Sequence, residues 1–437
     1  MELLVLLVFC LLLILCIATG LSILYALTAG LFLFVGFSLW KGFRPKEVCA
    51  MCLEGIKTVK NILITFILIG MMTGLWRAAG TIPSIVCYSV HLITPSIFLL
   101  LTFLLNCLVS FLTGTALGTA ATMGTVCMTM GLALQMDPLF MGGAILAGSY
   151  FGDRCSPVST SALLVAELTD TSIFVNIPRM VKSSLVPFGI SCLIYLGAGF
   201  LLPHSTGQLM DVEGIFSVCF KLGLLPLLPA VAILVLALCK ISVKKTMAVS
   251  IVLALLIAIF YQEVPLQELL QIILTGYQSS DAQVAAMLNG GGLTSMIRVG
   301  CIVCLSSSYS GIFRKTGLLD LLQEMILRLS KKATSFAVTL PTAILLAMVS
   351  CNQALTIMLS HQLCSPTEKD QARFAIDLEN SAVVIAPLVP WSVACALPLT
   401  TIGAPSAAVL GACYLYLLPL WTLLSSFAGR KKQNSLN

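Results

Sequence analysis

The chain has 437 residues, 59% of them hydrophobic and only 10% charged, with a mean hydropathy of +1.04 and a formal net charge of +6. A soluble domain carries about 25% charged residues, so the composition excludes a water-soluble globular protein and leaves room for roughly 10 to 13 membrane spans of about 20 residues each. The positive excess fits basic residues that set topology better than nucleic-acid binding. Three His, and 17 Cys with no ligand spacing beyond one Cys49-Ala50-Met51-Cys52, argue against a zinc site.

Residues 3–18 and 21–40 are apolar runs split by Gly20, which predicts an N-terminal helical hairpin within 1–45. Met1-Glu2 lacks a basic leader, so the first run reads as a span and not as a cleaved signal. Lys41, Arg44, Lys46, Lys57 and Lys60 mark a cytoplasmic segment. A span is expected over 61–76, then a span or interfacial helix over 80–95. The apolar run 96–112 breaks at Thr113-Gly114-Thr115-Ala116-Leu117-Gly118-Thr119, and another follows over 120–134. Asp137-Pro138 reads as a helix start, because Asp caps and Pro suits the first turn.

Residues 148–161 hold Asp153, Arg154, Ser156, Pro157, Ser159, Thr160 and Ser161 inside apolar sequence, a mixture that a lipid-facing helix does not tolerate. Glu167, Asp170, Arg179 and Lys182 read as cytoplasmic. Residues 183–203 span outward to an external loop from His204 to Gly214. Residues 215–239 return to Lys240, Lys244 and Lys245, and 247–261 go out again. Residues 262–297 are mixed, with Gly290-Gly291-Gly292 as a flexible joint. The Arg430-Lys431-Lys432 tail puts both termini in the cytoplasm, at the inner membrane.

Self-similarity adds a second level of order. Gly74-Leu75-Trp76-Arg77-Ala78-Ala79-Gly80 matches Gly311-Ile312-Phe313-Arg314-Lys315-Thr316-Gly317, and Val109-Ser110 matches Val349-Ser350. Ser156-Pro157-Val158 matches Ala386-Pro387-Leu388, and Val48-Cys49-Ala50-Met51 matches Val284-Ala285-Ala286-Met287. The basic residues place the two copies in opposite orientations. The expected fold is therefore an all-α polytopic membrane protein with two inverted repeats, 46–203 and 284–429, joined by connecting spans over 204–283 and followed by a tail, 430–437. Helices interrupted near the midplane are the architecture of many secondary transporters.

The interruptions supply the candidate chemistry: Thr113, Gly114 and Thr115; Asp153, Ser156, Pro157 and Ser159; Asn352 and Gln353; and Glu379, Asn380, Pro387 and Trp391. A desolvated small cation needs oxygen ligands, which hydroxyls, amides and the carbonyls of unwound backbone provide. Sodium is expected at Asp153, Ser156, Asn352 and Glu379. A buried carboxylate favours its proton and a nearby cation displaces it, so Asp153 or Glu379 holds one or the other, which is the basis of antiport. Gly114, Pro157 and Pro387 are read as helix breakers. Plainer readings stand beside these: an Asp153–Arg154 ion pair, Glu379 at a surface helix end, and packing for Thr113, Thr115 and Trp391. An intramembrane aspartyl protease would need two carboxylates sharing a proton, and a channel needs no rocking carrier.

These residues resemble the NhaC-type Na⁺/H⁺ antiporter family. Ser110-Phe111-Leu112-Thr113-Gly114-Thr115 is similar to its first interrupted motif, and Gly152-Asp153-Arg154-Cys155-Ser156-Pro157 to its Gly-Asp-Lys-x-Ser-Pro motif. Leu378-Glu379-Asn380-Ser381, then Pro387-Leu388-Val389-Pro390-Trp391, resembles its Leu-Glu-Asp-Ser and Pro-Leu-Ile-Pro-Trp motif. The resemblance implies a secondary transporter exchanging sodium for protons, with those ions in place of any cofactor. Its partners would be a small cation, membrane lipid, no nucleic acid, and a second copy of the chain if it is a homodimer. Some members move organic solutes such as malate, lactate or amino acids. Here the family's acids give way to Thr160 and Asn380, and its Asn to Leu163. These departures raise the alternative of coupled transport of an amino acid or carboxylate.

Overall fold

The structure, a computed structural model, describes residues 2–434 apart from 20, 91–93, 158, 202–211, 240, 242, 282–283, 286–287, 318–319 and 331–332. Most of the expected external loop from His204, Lys240, half of the Val284–Met287 match and the last three residues of the tail lie outside the described residues. Among those described, the chain is helical; the strand-like feature is an isolated antiparallel bridge between Tyr277 and Gly290.

Among the described residues, five helices are long and apolar enough to cross a membrane: Ile23–Trp40, Pro95–Thr113, Ala116–Ala133, Ile173–Leu201 and Gly292–Phe313. Two bent pairs raise this to seven: Leu63–Ala78 with Thr81–Tyr88, bent by 62°, and Gln371–Leu388 with Val393–Ile402, bent by 52°. The count falls below the 10 to 13 expected because several apolar segments are short helices, Ser335–Ser350 and Cys413–Ala428 among them. The expected span or interfacial helix over 80–95 is the second limb of the first bent pair. Its corner is Gly80, at φ 71°. Arg77 is buried beside that corner and donates to the Thr73 carbonyl at 2.6 Å.

Two helical hairpins share one design. In the first, Pro95–Thr113 ends at Gly114 (φ 64°), and Thr115 caps the returning helix through Gly118 N–H. In the second, Ser335–Ser350 ends at Cys351 (φ 53°), and Asn352 caps the return through Leu355 N–H. The cap residues have nearly the same backbone angles, φ −148° and ψ 123° at Thr115 against φ −144° and ψ 128° at Asn352. Cys127 lies against Thr102 and Asn106 in the first hairpin, as Cys364 lies against Thr339 and Thr342 in the second. The left-handed Gly80 likewise has a counterpart in Gly317, at φ 62°.

The open ends of the hairpins sit at opposite ends of the long Ile173–Leu201 helix. Toward its C-terminus, a Cβ on Gly199 would stand 2.2 Å from the Ser96 carbonyl, at the mouth of the first hairpin. Near its N-terminus, Arg179 and Ser426 line one cavity, and Ser426 Oγ is 3.1 Å from Thr334 Oγ1, at the mouth of the second.

Asp137 and Pro138 start the Pro138–Cys155 helix as expected, with Asp137 accepting from Leu139 N–H at 2.8 Å. This helix packs directly on Pro95–Thr113. A Cβ on Gly148 would meet the Phe103 carbonyl at 2.6 Å, and one on Gly152 would meet Phe111 N at 2.1 Å. The close approach sets Asp153 beside the first hairpin tip. The Gly290-Gly291-Gly292 run, read from sequence as a flexible joint, is a tight packing point: a Cβ on Gly292 would stand 2.2 Å from Gly276 N, and one on Gly291 2.7 Å from Gly74 N. The N-terminal hairpin of Glu2–Ala18 and Ile23–Trp40 docks through Phe9, Phe34, Tyr309 and Phe313, whose rings pack at 4.9–6.3 Å.

Gly152→Ala should force these two helices apart and cost about 1–3 kcal/mol. The checking measurement is thermal unfolding in detergent, with Gly189→Ala, where a Cβ meets nothing within 4 Å, expected to stay near the parent.

Candidate functional site

The four interruptions meet around Asp153, which is 5% exposed in the last turn of its helix. Beyond Cys155 the chain turns extended at Ser156 (φ −82°, ψ 138°), Pro157 follows, and Ser159 caps the Thr160–Leu168 helix. This turn folds two hydroxyls back on the acid. Ser161 Oγ is 2.8 Å from Asp153 Oδ2 and 3.0 Å from its carbonyl oxygen. Ser159 Oγ is 3.4 Å from Oδ1, contacts the same carbonyl, and is 2.9 Å from Ser161 Oγ. Gln353 Nε2, from the second hairpin tip, donates to Oδ2 at 3.1 Å and to the Val383 carbonyl in the broken helix at 3.0 Å. The Ala116 amide, just past the first tip, faces the carboxylate too.

A hydroxyl carries one proton. Ser159 and Ser161 thus bring two protons to five oxygen–oxygen contacts. Gln353 Nε2 and the Ala116 amide add donors to the carboxylate, while the Ser159 and Ser161 oxygens and the Asp153 carbonyl keep lone pairs of the kind a cation uses.

Arg154 turns the other way and does not pair with Asp153. Fully buried, it reaches Ser183 Oγ at 2.9 Å, the Met180 carbonyl at 3.2 Å and Tyr414 Oη at 3.4 Å, and it also contacts Ser184 and Asn380 Oδ1. Every one of these acceptors is neutral. Asn380 in turn donates to Thr422 Oγ1 at 3.0 Å. Glu379 is 0% exposed, which removes the reading as a surface helix end. Neither of its oxygens has a hydrogen-bond partner among the described residues. It lies within electrostatic reach of Arg154 and Asp153 and forms no ion pair among the described residues.

The other candidates do more local work. Thr115 and Asn352 cap their helices, and Thr113 Oγ1 is 3.3 Å from Thr119 Oγ1. Ser156 is buried at the break, one residue from the cluster's turn, and Gly114 forms the left-handed tip. Pro387 lies in a short 3₁₀ turn, Ala386–Leu388. Trp391 donates to the Met348 carbonyl at 2.9 Å, and Val393 N–H donates to the Cys351 carbonyl at 2.9 Å, which ties the broken helix to the second tip. Ser392 caps Val393–Ile402 as Ser159 caps Thr160–Leu168. In both places the capping serine stands two residues after a proline, Pro157 and Pro390.

Sequence reasoning left Ser161, Arg154, Asp377 and the Ser183–Ser184–Tyr414 acceptors out of the candidate set. Ser161 belongs to the hydroxyl run and Arg154 is an intramembrane base, a signal in itself. Nothing local marks Ser183, Ser184 or Tyr414. Two cavities flank the break. One of ≈460 Å³ is lined by Arg179, Arg373, Asp377, Asn380 and Thr422 among others, and one of ≈380 Å³ by Arg298, Pro390, Trp391 and Thr400 among others.

A family model described as the Na⁺/H⁺ antiporter family matches residues 2–169 and 148–427. The chain belongs to the Na⁺/H⁺ antiporter family. It is 27% identical over 389 residues to the Na⁺/H⁺ antiporter NhaC of Alkalihalophilus pseudofirmus, covering 86% of this chain and 84% of that one. It is also 27% identical over 367 residues to the malate-2H⁺/Na⁺-lactate antiporter of Bacillus subtilis (80% and 77% covered). The arginine/ornithine antiporter ArcD of Halobacterium salinarum is 27% identical over 387 residues (85% and 79%). A polytopic member of this family is a secondary active transporter. At 25–27% identity, relatives with different cargoes are equally distant from this chain.

Arg154→Lys should lower stability by about 2 kcal/mol, because one ammonium cannot replace a fork that reaches three helices. Thermal unfolding of the detergent-solubilised protein measures it.

Proposed function

We propose that the chain is a Na⁺/H⁺ antiporter working by alternating access, with Asp153, Ser159 and Ser161 at the heart of the cation site. The observation that carries this reading is the concentration of oxygens there: a buried carboxylate, its own carbonyl and two hydroxyls folded back within hydrogen-bond distance of one another. A sodium ion would take lone pairs from these oxygens, and a proton on Asp153 would neutralise the same carboxylate. The two therefore compete for one place. Glu379, buried without a donor, is the second carboxylate suited to hold a proton.

Two inverted repeats supply the two access states. The recurring left-handed tips at Gly114 and Cys351, the matching caps at Thr115 and Asn352, and hairpin mouths at opposite ends of one long helix support that symmetry. One hairpin would open to each side of the plasma membrane, with both termini in the cytoplasm.

A second reading, coupled transport of a small organic solute, is favoured by Asn380. Where the family resemblance leads one to expect an acid, Arg154 meets a neutral amide beside a cavity lined by charges of both signs.

Full-length protein in liposomes separates the two. A sodium gradient alone should move protons, read by a pH-sensitive dye, and Asp153→Asn should reduce this to background while the protein still inserts and elutes as a folded species. Parent-like rates in that variant would take Asp153 out of the site. Counterflow of a labelled amino or carboxylic acid, without sodium-driven proton movement, would select the second reading.

A further inference from the structure

We propose that Arg298 biases the carrier against taking up sodium, and so toward releasing it, on the membrane face served by the cavity of ≈380 Å³. The inference rests on the sodium–proton reading above and gives it a kinetic direction.

The bent pair Gln371–Leu388 and Val393–Ile402 has one cavity on each limb. Taken as one span, its limbs lead to opposite faces of the membrane. The cavity of ≈460 Å³ lies along the first limb, at Arg373 and Asn380, and that of ≈380 Å³ along the second, at Trp391 and Thr400. The break between the limbs is tied to the Asp153 cluster. Val393 N–H donates to the Cys351 carbonyl at 2.9 Å, and Gln353, two residues further on, donates to Asp153 Oδ2 at 3.1 Å. Each cavity is thus placed as the vestibule of one face, and Pro390 and Trp391 wall the second from the cluster.

The two vestibules differ in charge. The first is lined by two bases, Arg179 and Arg373, and two acids, Asp370 and Asp377. In the second, Arg298 is the one charged side chain among the described lining residues. It is exposed and forms no ion pair among the described residues. Leu21 and Ile23 of the N-terminal hairpin add apolar wall. The expected topology turns this vestibule outward, the side on which Lys221 is paired with Glu263.

An uncompensated charge in a cleft with low-dielectric walls sets the local concentration of small ions. A sodium ion approaching through the second vestibule meets repulsion that the first does not impose. An ion leaving by it is helped away by the same field. The effect is on rates and on apparent affinity at one face. The final gradient is still fixed by the coupled ions.

The test uses the full-length chain in membrane vesicles from cells lacking their own sodium–proton exchangers, prepared right-side-out and everted. Proton movement is followed by a pH-sensitive dye as sodium in the bath is varied at fixed ionic strength. Arg298→Gln should lower the half-saturating sodium concentration about threefold on one face and leave the other at the parent value. Arg298→Glu should lower it further, and Arg298→Lys, which keeps the charge, should match the parent. Raising ionic strength with choline chloride should shrink the difference between parent and Arg298→Gln, because a field acting through water is screened.

Parent-like half-saturation in Arg298→Gln and Arg298→Glu on both faces overturns the proposal. So does an equal shift on both faces, the same shift in Arg298→Lys, or a difference that persists at high salt, each of which marks a structural role. In all four cases sodium still drives protons and the exchange reading stands. If the parent moves no protons in response to sodium on either face, the exchange reading itself fails and the bias falls with it.

Discussion

Backbone that is not helical cannot face hydrocarbon, because no water is there to satisfy its amides and carbonyls. Each break in this chain is therefore answered by another break. The carbonyl left open at Cys351 takes the Val393 amide, the Val383 carbonyl takes the Gln353 side chain, and the Ala116 amide looks onto Asp153. No one of these turns is tolerable alone at membrane depth. Together they form an interior polar core whose members hold one another in place, and the acid at its centre owes its surroundings to all of them.

Close helix approach makes that mutual arrangement geometrically attainable. Gly148 and Gly152 let the Pro138–Cys155 helix lie against the first hairpin at backbone distance, and Tyr150, on the same helix, donates to the Ala394 carbonyl at 2.7 Å. One helix therefore touches the first tip by its glycines, the broken helix by its tyrosine, and the second tip through Asp153 and Gln353. Packing by small residues is the usual means of association within a bilayer. Here it also registers the polar groups to within hydrogen-bond reach.

Much of this was legible in the sequence. Polar residues in apolar surroundings marked all four interruptions, and Asp137-Pro138 announced its helix start. What could not be read was direction. Asp153 and Arg154 are adjacent, so sequence offers an ion pair, but successive residues on a helix point about 100° apart and these two face different neighbours. The shared left-handed corner at Gly80 and Gly317 was visible because glycine signals such a backbone. The likeness of the two hairpin tips was obscured at Gly114 and Cys351, where one residue is not glycine. Ser183, Ser184 and Tyr414 are ordinary residues on other helices, made important only by a guanidinium that arrives from elsewhere in the fold.

The buried ionisable side chains have an electrical consequence. Among the described residues, Asp153, Asp377 and Glu379 are the buried acids, and Arg77 and Arg154 the buried bases. Fully ionised, that set carries one net negative charge, which a single bound cation or proton neutralises. A loaded carrier with a neutral interior does no work against the transmembrane voltage, whereas an empty one works against about 2.3 kcal/mol per charge per 100 mV when that charge crosses the whole field. Under the exchange proposed above, the sodium-loaded and proton-loaded crossings would both carry a neutral interior, and the voltage would act on the empty crossing that uncouples them.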